Sequence, residues 1–512
     1  MNRRIARRSL LSAAASALVA AVMRPAFAVA APSLAQAPVP RLPRSYQPLS
    51  AEQRDIYARA FAAFDADRFA EAHQLAQAGN HPLAQKIFLW TELQSRSVNL
   101  GFEEVSAFLT ANPDWPNPEA LVRRAEEALV DRSDDGPVLA WFATRSPATT
   151  DGTLRYIDAL ARAGDRAKVA ALVRSTWHGA GFGAVQEQNF LARYGDYLTR
   201  ADHWARLDRL LWDGRRDEAH RMLPRVDKSR QLLADARLKL ATQAPGAEAA
   251  VRKVPAELVN DAGLAFERLR WRRRRGQDDG ARDIMLQAPR DLVRPDLWWA
   301  ERAFLARRAI QQGRAAEAYR IARDHRNTTG TPFTEGEFLA GWIALRYQND
   351  PRTALAHFNR LNEAARTPIT RARGAYWAGR AADALKDARA ATDWFTRAAT
   401  SSTTYHGQLA MARLAASGRP QPWPQIPAPS SAERDAFERG ELARAAILLT
   451  EIGTTGRIDR VKLFTNRLAT IATTPAQQAM AADLALSLSR PDLAVAAAKR
   501  SAQFSGEQLT EQ

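Results

Sequence analysis

Cysteine is absent from this sequence of 512 residues, and its absence excludes several kinds of site. Without thiols the chain cannot form disulfides or cysteine-bound zinc and iron–sulfur sites, and it cannot supply a thiol nucleophile. Alternation of apolar and polar residues with period two is also scarce, which argues against a β-sheet. The hydrophobic and charged fractions, 46% and 25%, are ordinary for a globular protein and exclude a disordered chain or a polytopic membrane protein.

Residues 1–28 have the three parts of a signal peptide. An apolar stretch over residues 10–23 follows a basic region, and Ala26-Phe27-Ala28 offers the small residues that a signal peptidase requires. The apolar stretch is shorter than the roughly 20 residues that cross a membrane, so we expect export and no stable membrane span. Arg7-Arg8 leaves both the Sec and the twin-arginine route open. The basic region contains Arg3, Arg4, Arg7 and Arg8.

The chain carries a large excess of positive charge. Lys and Arg number 73 against 56 Asp and Glu, a net charge of +17. Residues 1–28 hold five arginines and no acidic residue, so their removal lowers the net charge from +17 to +12. A basic protein outside the cytoplasm points to an anionic cell envelope as its partner rather than to nucleic acid. We therefore expect a periplasmic location.

Two proline clusters divide the sequence. Residues 29–50 contain the first cluster and are interpreted as a proline-rich tether, because each proline fixes φ and removes a backbone donor. The second cluster lies between Pro420 and Pro429 and is the main predicted domain boundary. We expect one long domain over residues 51–425 and a smaller helical domain over residues 430–512.

Between the clusters nearly every segment has the apolar spacing of an amphipathic helix. The clearest case is residues 332–347, where Thr334 and Glu337 have the spacing of a capping box at a helix start. The next two helices are predicted to begin at Asp350-Pro351 and Thr367-Pro368, each a capping residue followed by proline.

A repeat of 36–37 residues runs through the long domain. Gly276, Gly313, Asp350 and Lys386 follow one another at this spacing. A glycine can end one helix of a hairpin, and a small alanine five residues later lets the next helix approach closely. Such a period is typical of stacked helical hairpins. We predict an all-α superhelical solenoid of tetratricopeptide-like hairpins that is U-shaped or ring-forming. The glycines followed by an alanine five residues later are Gly214, Gly276 and Gly313. Asp67 and Lys386 occupy the same position relative to an alanine.

Residues capable of catalysis or metal binding do not form a recognisable motif. No two of the eight histidines have a metal-ligand spacing, so we predict no metal site. We also predict no cofactor and no catalytic residue, because the glycine-rich and acidic segments have structural explanations. The glycines of residues 179–183 are interpreted as a loop between hairpins, since no strand precedes them. The histidines are His73, His81, His178, His203, His220, His325, His357 and His406.

The remaining charged and aromatic clusters have structural explanations. Glu335 and Glu337 suit a helix N-terminus, and the pairs at 103–104 and 126–127 suit solvated helix faces. The basic run at 272–275 is interpreted as a solvated helix end, with contact to an anionic polymer as the alternative. Trp298 and Trp299 are interpreted as core residues, with a sugar-stacking platform as the alternative.

Several strings in the sequence resemble those of one protein family. Residues 336–346 (GEFLAGWIALR), followed by His357-Phe358, are similar to the superhelical region of soluble lytic murein transglycosylases. The resemblance covers residues 54–510 and, in the same order along the chain, includes residues 112–116 (NPDWP), 202–212 (DHWARLDRLLW), 375–381 (AYWAGRA) and 404–410 (TYHGQLA).

The resemblance implies a fold and an activity. In that family a U-shaped helical arm and a linker domain form a ring, and a lysozyme-like domain cleaves the MurNAc–GlcNAc bond of peptidoglycan without water during cell-wall turnover. Residues 51–425 resemble the arm and 430–512 the linker domain. The family's catalytic Glu-Ser pair and its Gly-Leu-Met-Gln string do not occur in this sequence. We therefore expect the catalytic domain to be absent and no family catalytic residue to be present.

Three interpretations follow from the resemblance. The first is a lytic transglycosylase truncated before its catalytic domain. The second is a catalytically silent periplasmic scaffold that binds peptidoglycan or protein partners such as other cell-wall enzymes. The third is a generic helical-repeat protein. The first two predict that the chain binds the anionic strands of peptidoglycan.

Overall fold

A computed structural model describes residues 48–98, 100–423, 428–453 and 458–504. These residues belong to one compact unit, and they contain helices and no β-strand. The predicted all-α class is therefore confirmed. The predicted signal peptide, residues 1–28, and most of the tether, residues 29–50, lie outside the described residues.

The N-terminal helices are short, and several of them begin at a side-chain cap. Helix α1, for example, begins with a capping box in which the Ser50 hydroxyl and the Gln53 side chain each bind the other's backbone N–H. The first eleven helices are α1 (Ala51–Asp65), α2 (Phe69–Ala78), α3 (Pro82–Leu93), α4 (Phe102–Ala111), α5 (Pro118–Val130), α6 (Gly136–Ala143), α7 (Thr150–Arg162), α8 (Arg166–Gly179), α9 (Ala184–Tyr194), α10 (Arg200–Trp212) and α11 (Arg216–Met222).

The middle of the chain contains the longest and most regular hairpins. Two short 3₁₀ segments precede this part of the chain, Gly195–Tyr197 and Leu223–Arg225. A third, Ala256–Leu258, lies within it. Its helices are α12 (Lys228–Thr242), α13 (Ala247–Arg252), α14 (Ala262–Arg274), α15 (Asp278–Leu286), α16 (Pro295–Gln311), α17 (Ala315–Arg323), α18 (Gly330–Tyr347), α19 (Pro351–Ala364), α20 (Pro368–Ala384), α21 (Ala388–Ala399) and α22 (Tyr405–Ala416).

Five further helices follow the second proline cluster. Residues 424–427 within that cluster lie outside the described residues, and so do residues 454–457 between the second and third of these helices. The helices are α23 (Ser431–Arg439), α24 (Glu441–Ile452), α25 (Arg460–Ile471), α26 (Pro475–Ser487) and α27 (Pro491–Phe504).

The turns of the hairpins adopt the left-handed backbone conformation that the repeat predicts. Gly276 and Gly313 have φ of 72° and 76°, and Lys386 has φ of 61°. The alanine five residues after each turn is almost completely buried, as expected where two helices approach closely. The turn residue of the third repeat is Asn349, with φ of 53°, rather than Asp350. Asp350 is instead the N-cap of α19 and accepts from the Thr353 N–H.

Helix α18 begins earlier than the sequence predicts. Its first residue is Gly330, so Thr334 and Glu337 lie inside the helix and form no capping box. Both are buried, and the Glu337 carboxylate binds side chains of neighbouring segments instead of the helix start. The prediction of a capping box was wrong because a tertiary partner competes for this carboxylate. The start of α20 at Thr367-Pro368 is confirmed.

The helices after the second proline cluster pack against the first helices of the chain. Helix α24 contacts α1 and α3, whereas α27 contacts α20 in the middle of the chain. The Phe464 ring of α25 lies 5.0 Å from the Trp90 ring and 5.2 Å from the Trp115 ring, between centroids. The two parts of the chain therefore share one hydrophobic core.

Polar contacts reinforce this packing. Glu441 accepts hydrogen bonds from Lys86 Nζ at 2.7 Å and from Trp115 Nε1 at 2.9 Å. Arg467 donates to the backbone carbonyls of Pro113 and Asp114 at 3.0 and 2.9 Å. Pro113, Asp114 and Trp115 all belong to the NPDWP string, so the contacts give this string a role in docking the C-terminal helices.

Candidate functional site

A buried carboxylate organises the most polar part of the α17–α19 region. Glu337 of α18 accepts from Nδ1 of His357 at 2.6 Å, from Nε2 of His325 at 3.3 Å and from Nε of Arg360 at 3.1 Å. The side chains of Glu337, His325 and His357 are all less than a tenth exposed. Since these donors come from the turn before α18 and from α19, Glu337 ties α18 to that turn and to α19.

The hydrogen bonds outweigh burial at Glu337. Burial alone would raise the pKa of this carboxyl, but donation from His325, His357 and Arg360 holds its pKa well below its usual range. Glu337 is therefore a carboxylate at neutral pH. The His325 ring is held from its other side, where its Nδ1 accepts from the Asn327 N–H at 3.1 Å.

Tyr319 of α17 extends the cluster to the surface. Its hydroxyl lies 3.0 Å from Nε2 of His357. Nδ1 of His357 lies 2.6 Å from Glu337 and 2.7 Å from Nη2 of Arg360, while Nε2 on the other side of the ring faces the tyrosine. Burial raises the pKa of Tyr319, so the phenol stays protonated. The chain Tyr319–His357–Glu337 thus fixes the position of the Tyr319 hydroxyl.

An open cleft of about 400 Å³ lies beside this chain, between α17 and α19. We call it the α17–α19 cleft. Arg323 and Arg360 line it from opposite helices, and both are exposed to solvent. The guanidinium of Arg323 lies 5.5 Å from the centroid of the Tyr319 ring. The lining residues are Tyr319, Arg323, Asp324, Thr353, Ala356, His357 and Arg360.

The single acidic residue in this lining is already neutralised. Asp324 accepts from Arg326 at 3.0 Å and lies 3.4 Å from the buried guanidinium of Arg302. Burial lowers the pKa of Arg302 to about 10, which still leaves it charged at neutral pH. The cleft therefore presents net positive charge, a setting that suits an anionic ligand.

A second, smaller pocket of about 110 Å³ lies between α10, α12 and α14. Its lining contains both acidic and basic side chains. Among them, Glu267 accepts a hydrogen bond from Arg270 at 2.9 Å. Burial raises the pKa of Glu267, although Arg270 and Arg237 oppose that shift. A lining carboxylate disfavours an anion, so this pocket is a weaker candidate for anion binding than the α17–α19 cleft.

Most of the histidines singled out in the sequence serve local contacts. His178 lies 2.9 Å from Asp202, and His73 lies 2.9 Å from Glu92. His81 caps α3 through the Ala84 N–H. The structure brings together only His325 and His357, through Glu337.

Within the described ranges, no group of three or more potential ligand residues could hold a metal ion. In that same part of the chain, no helix combines the length and apolar character needed to cross a membrane. Of residues 179–183, Gly179 ends α8 and residues 180–183 connect it to α9, where the sequence predicts an inter-hairpin connection.

One carboxylate predicted to be solvated is buried. Glu126 is fully buried and accepts from the backbone N–H groups of Ala148 and Thr149 at 2.8 and 2.7 Å. Its role is to hold the start of α7, because those donors have no partner within the helix. Glu127, by contrast, is partly exposed and pairs with Arg96 and Arg124.

The paired tryptophans are buried, and the arginines of the basic run contact other parts of the chain. Trp298 and Trp299 are both buried, which confirms the core interpretation. The solvated helix end predicted for residues 272–275 is correct only in part, since two of these arginines are exposed and two are half-buried. The four contacts are Arg272 with the Gly280 carbonyl, Arg273 with Glu301, Arg274 with the Ala241 carbonyl and Arg275 with the Trp271 ring.

Tyr319, Arg323 and Arg360 were missed by sequence reasoning, although the repeat contains a signal. Arg323 and Arg360 are 37 residues apart, and Tyr319 and His357 are 38 apart. Positions separated by one period lie next to each other in stacked hairpins. A search for polar residues at this spacing would have found both pairs.

Solved structures show which known proteins share this fold. The lytic transglycosylase Slt from Pseudomonas aeruginosa, solved as an inactive mutant, aligns with a TM-score of 0.61 at 16% identity over 87% of this chain and 70% of its own. The 70-kDa soluble lytic transglycosylase from Escherichia coli aligns at 0.58 with 17% identity over 88% and 70%. A 70-kDa soluble lytic transglycosylase in complex with bulgecin A aligns at 0.58 with 18% identity over 88% and 70%.

These likenesses concern the fold. They confirm that the resemblance drawn from the tryptophan-rich strings extends to the three-dimensional arrangement of the helices. No family model matches the sequence. No curated protein matches it either.

Proposed function

We propose that this protein associates with peptidoglycan in the periplasm and is the helical portion of a protein similar to soluble lytic transglycosylases. The observation that carries the proposal is the fold shared with those enzymes over 87–88% of this chain. In this proposal residues 51–425 are the arm and residues 430–512 the linker domain. Together they hold glycan strands, and cleavage of the MurNAc–GlcNAc bond belongs to a catalytic domain outside these residues.

The charge of the chain supports an anionic partner. Without residues 1–28 its net charge is +12, and the α17–α19 cleft adds a local concentration of guanidinium groups. The stem peptides of peptidoglycan carry carboxylates, so attraction between the two is expected and weakens as salt screens it.

Export through the N-terminal segment is part of the proposal. Cleavage after Ala28 is the expected outcome, and N-terminal sequencing of the protein from the periplasmic fraction measures it. Replacing Arg7 and Arg8 by lysine separates the two routes, because only twin-arginine export requires the arginine pair. An unprocessed protein retained in the cytoplasm would contradict this part.

Binding is tested by co-sedimentation of the purified chain with isolated peptidoglycan sacculi. We expect most of the protein in the pellet at low salt and progressively less at salt concentrations that shorten the screening length to about 3 Å. Protein that stays in the supernatant at low salt would show that the chain does not bind peptidoglycan.

A separate experiment tests whether cleavage of the MurNAc–GlcNAc bond requires a domain outside these residues. The sequence contains no Glu-Ser pair, so we expect this chain alone to release no anhydromuropeptides from sacculi. Reading the coding frame beyond codon 512 then tests for a catalytic domain, which we expect to contain Glu-Ser and Gly-Leu-Met-Gln. Release of anhydromuropeptides by this chain would overturn the assignment.

A further inference from the structure

We propose that the α17–α19 cleft is a subsite for a carboxylate of the peptidoglycan stem peptide. The proposal rests on the proposed association with peptidoglycan and adds to it a chemical class and a location. It follows from the juxtaposition of Arg323 and Arg360 around an open cleft whose other polar groups are fixed or neutralised.

Arg323 is the cation most available to a ligand. It is exposed, and among the described residues its side-chain partner is Tyr319 rather than a carboxylate. Its guanidinium lies against the Tyr319 ring, a contact that orients the side chain while most of its N–H groups stay available to other acceptors. A guanidinium presents donors in a fork that matches the two oxygens of a carboxylate.

Arg360 is positioned by the buried cluster. Its Nε and Nη2 lie 3.1 and 2.9 Å from Oε2 of Glu337, while the side chain remains about half exposed at 47%. One edge of the guanidinium is therefore anchored, and Nη1 lies outside these contacts. Anchoring lowers the entropy that the side chain loses on binding a ligand.

The Tyr319 hydroxyl completes the polar surface between the two arginines. Its contact with His357 holds it in place, and His357 is in turn held by Glu337. A phenol oxygen fixed in this way accepts a hydrogen bond from a peptide N–H next to the bound carboxylate.

The same features disfavour a neutral sugar as the ligand. Stacking of a sugar requires an open aromatic face, and Arg323 already lies over the Tyr319 ring. The excess of guanidinium over free carboxylate at the cleft instead favours an acidic group. In peptidoglycan those groups are the carboxylates of the stem peptide, so we commit to the peptide rather than to the glycan.

The test is isothermal titration of the purified chain with the stem tetrapeptide L-Ala-γ-D-Glu-meso-diaminopimelyl-D-Ala. Its fully amidated analogue serves as the ligand control. The variants are Arg323→Gln and Arg360→Gln, with Arg389→Gln as the matched control, because Arg389 is an exposed arginine of α21 outside the cleft. Thermal melting of each variant reports whether it is folded, and Arg323→Gln decides the question if Arg360→Gln unfolds.

We expect the wild type and Arg389→Gln to bind the tetrapeptide equally. Arg323→Gln and Arg360→Gln should bind it at least about tenfold more weakly, and the amidated peptide should show a similar loss. Equal binding by the wild type and Arg323→Gln would overturn the subsite. The subsite would also be overturned if the wild-type chain pelleted with sacculi but did not bind the tetrapeptide. That result would leave the proposed function intact. Failure of both binding assays would overturn the proposed function as well.

Discussion

The guanidinium of Arg460 lies 2.8 Å from the carboxylate of Asp65, although 395 residues separate the two in sequence. The Arg460 side chain is fully buried, and its guanidinium lies 4.6 Å from the Phe61 ring centroid. The pair joins α25 to the end of α1. Because a buried arginine without a counter-charge is strongly unfavourable, this contact couples the stability of the two segments.

Asp65→Asn is therefore expected to destabilise the protein by about 3–5 kcal/mol. The midpoint and slope of urea unfolding measure the loss, and amide exchange of α25 should increase with it. Asp55→Asn is the matched control, since Asp55 pairs with Arg59 on the surface and both side chains are more than half exposed. Its effect should stay within about 0.5 kcal/mol. Equal effects of the two variants would contradict the role assigned to Asp65.

Glu337→Gln is expected to cost about 3–5 kcal/mol at neutral pH, because it removes the charge that His325, His357 and Arg360 surround. The pKa of Glu337 is lower in the folded state than its ordinary value of 4.5. The stabilisation by this carboxylate is therefore complete above about pH 4.5 and is lost as the pH falls below it. Urea unfolding as a function of pH should show the wild type and the variant converging in acid. A difference that stays constant below pH 4.5 would contradict the account.

Gly407→Ala is expected to destabilise the protein by about 1–3 kcal/mol or more through overpacking. A Cβ at this position would overlap the Ser401 carbonyl oxygen, which belongs to the backbone and cannot move aside easily. Gly179→Ala is the control, because a Cβ added there would meet no atom within 4 Å and alanine favours the helix. Thermal melting compares the two, and a Gly407→Ala variant as stable as the wild type would contradict the close approach.

Lys386→Gly and Gly313→Ala should shift stability in opposite directions. Both positions are turn residues of the same repeat frame, with φ of 61° and 76°. Glycine adopts this left-handed conformation without the penalty of about 1 kcal/mol that other residues incur. Lys386→Gly should therefore raise the unfolding midpoint and Gly313→Ala should lower it. Shifts of the same sign would show that the two turns are not equivalent.

His406 should titrate far below an ordinary histidine. Burial, together with the charge of Arg373, lowers its pKa to about 4. Proton NMR of the imidazole measures this value directly. Arg373→Gln should move the midpoint upward because it removes one of the two causes, and a midpoint near the ordinary 6.5 in the wild type would contradict the burial of His406.

The repeat was the part of the fold that sequence reasoning could predict. Turn residues such as Gly276 and Gly313 and caps such as Thr367 act within a few residues of their partners, so their chemistry is visible in a short window. The predicted starts of α19 and α20, each a capping residue followed by proline, agree with the structure. The third turn lies at Asn349, so the repeat spacing predicted its position to within one residue.

The candidate site depended on contacts that no short window contains. Glu337 fits a capping box with Thr334, yet its partner His357 is 20 residues away and on another helix. Glu126 similarly has the sequence context of a surface residue, but its partners lie 22 and 23 residues further along. In each case a tertiary donor outcompetes water or the local backbone, and that outcome depends on how the hairpins stack.

The packing of α25 on the Trp90 and Trp115 rings has a consequence for how the protein unfolds. A linear array of hairpins begins to melt at its terminal repeats, where each unit has a neighbour on one side only. Here the first helices and α25 serve as neighbours for each other, through Phe464 and the Arg460–Asp65 pair. Fraying from either of these segments then requires the other to separate as well, which makes the opening of distant parts of the chain a single cooperative event.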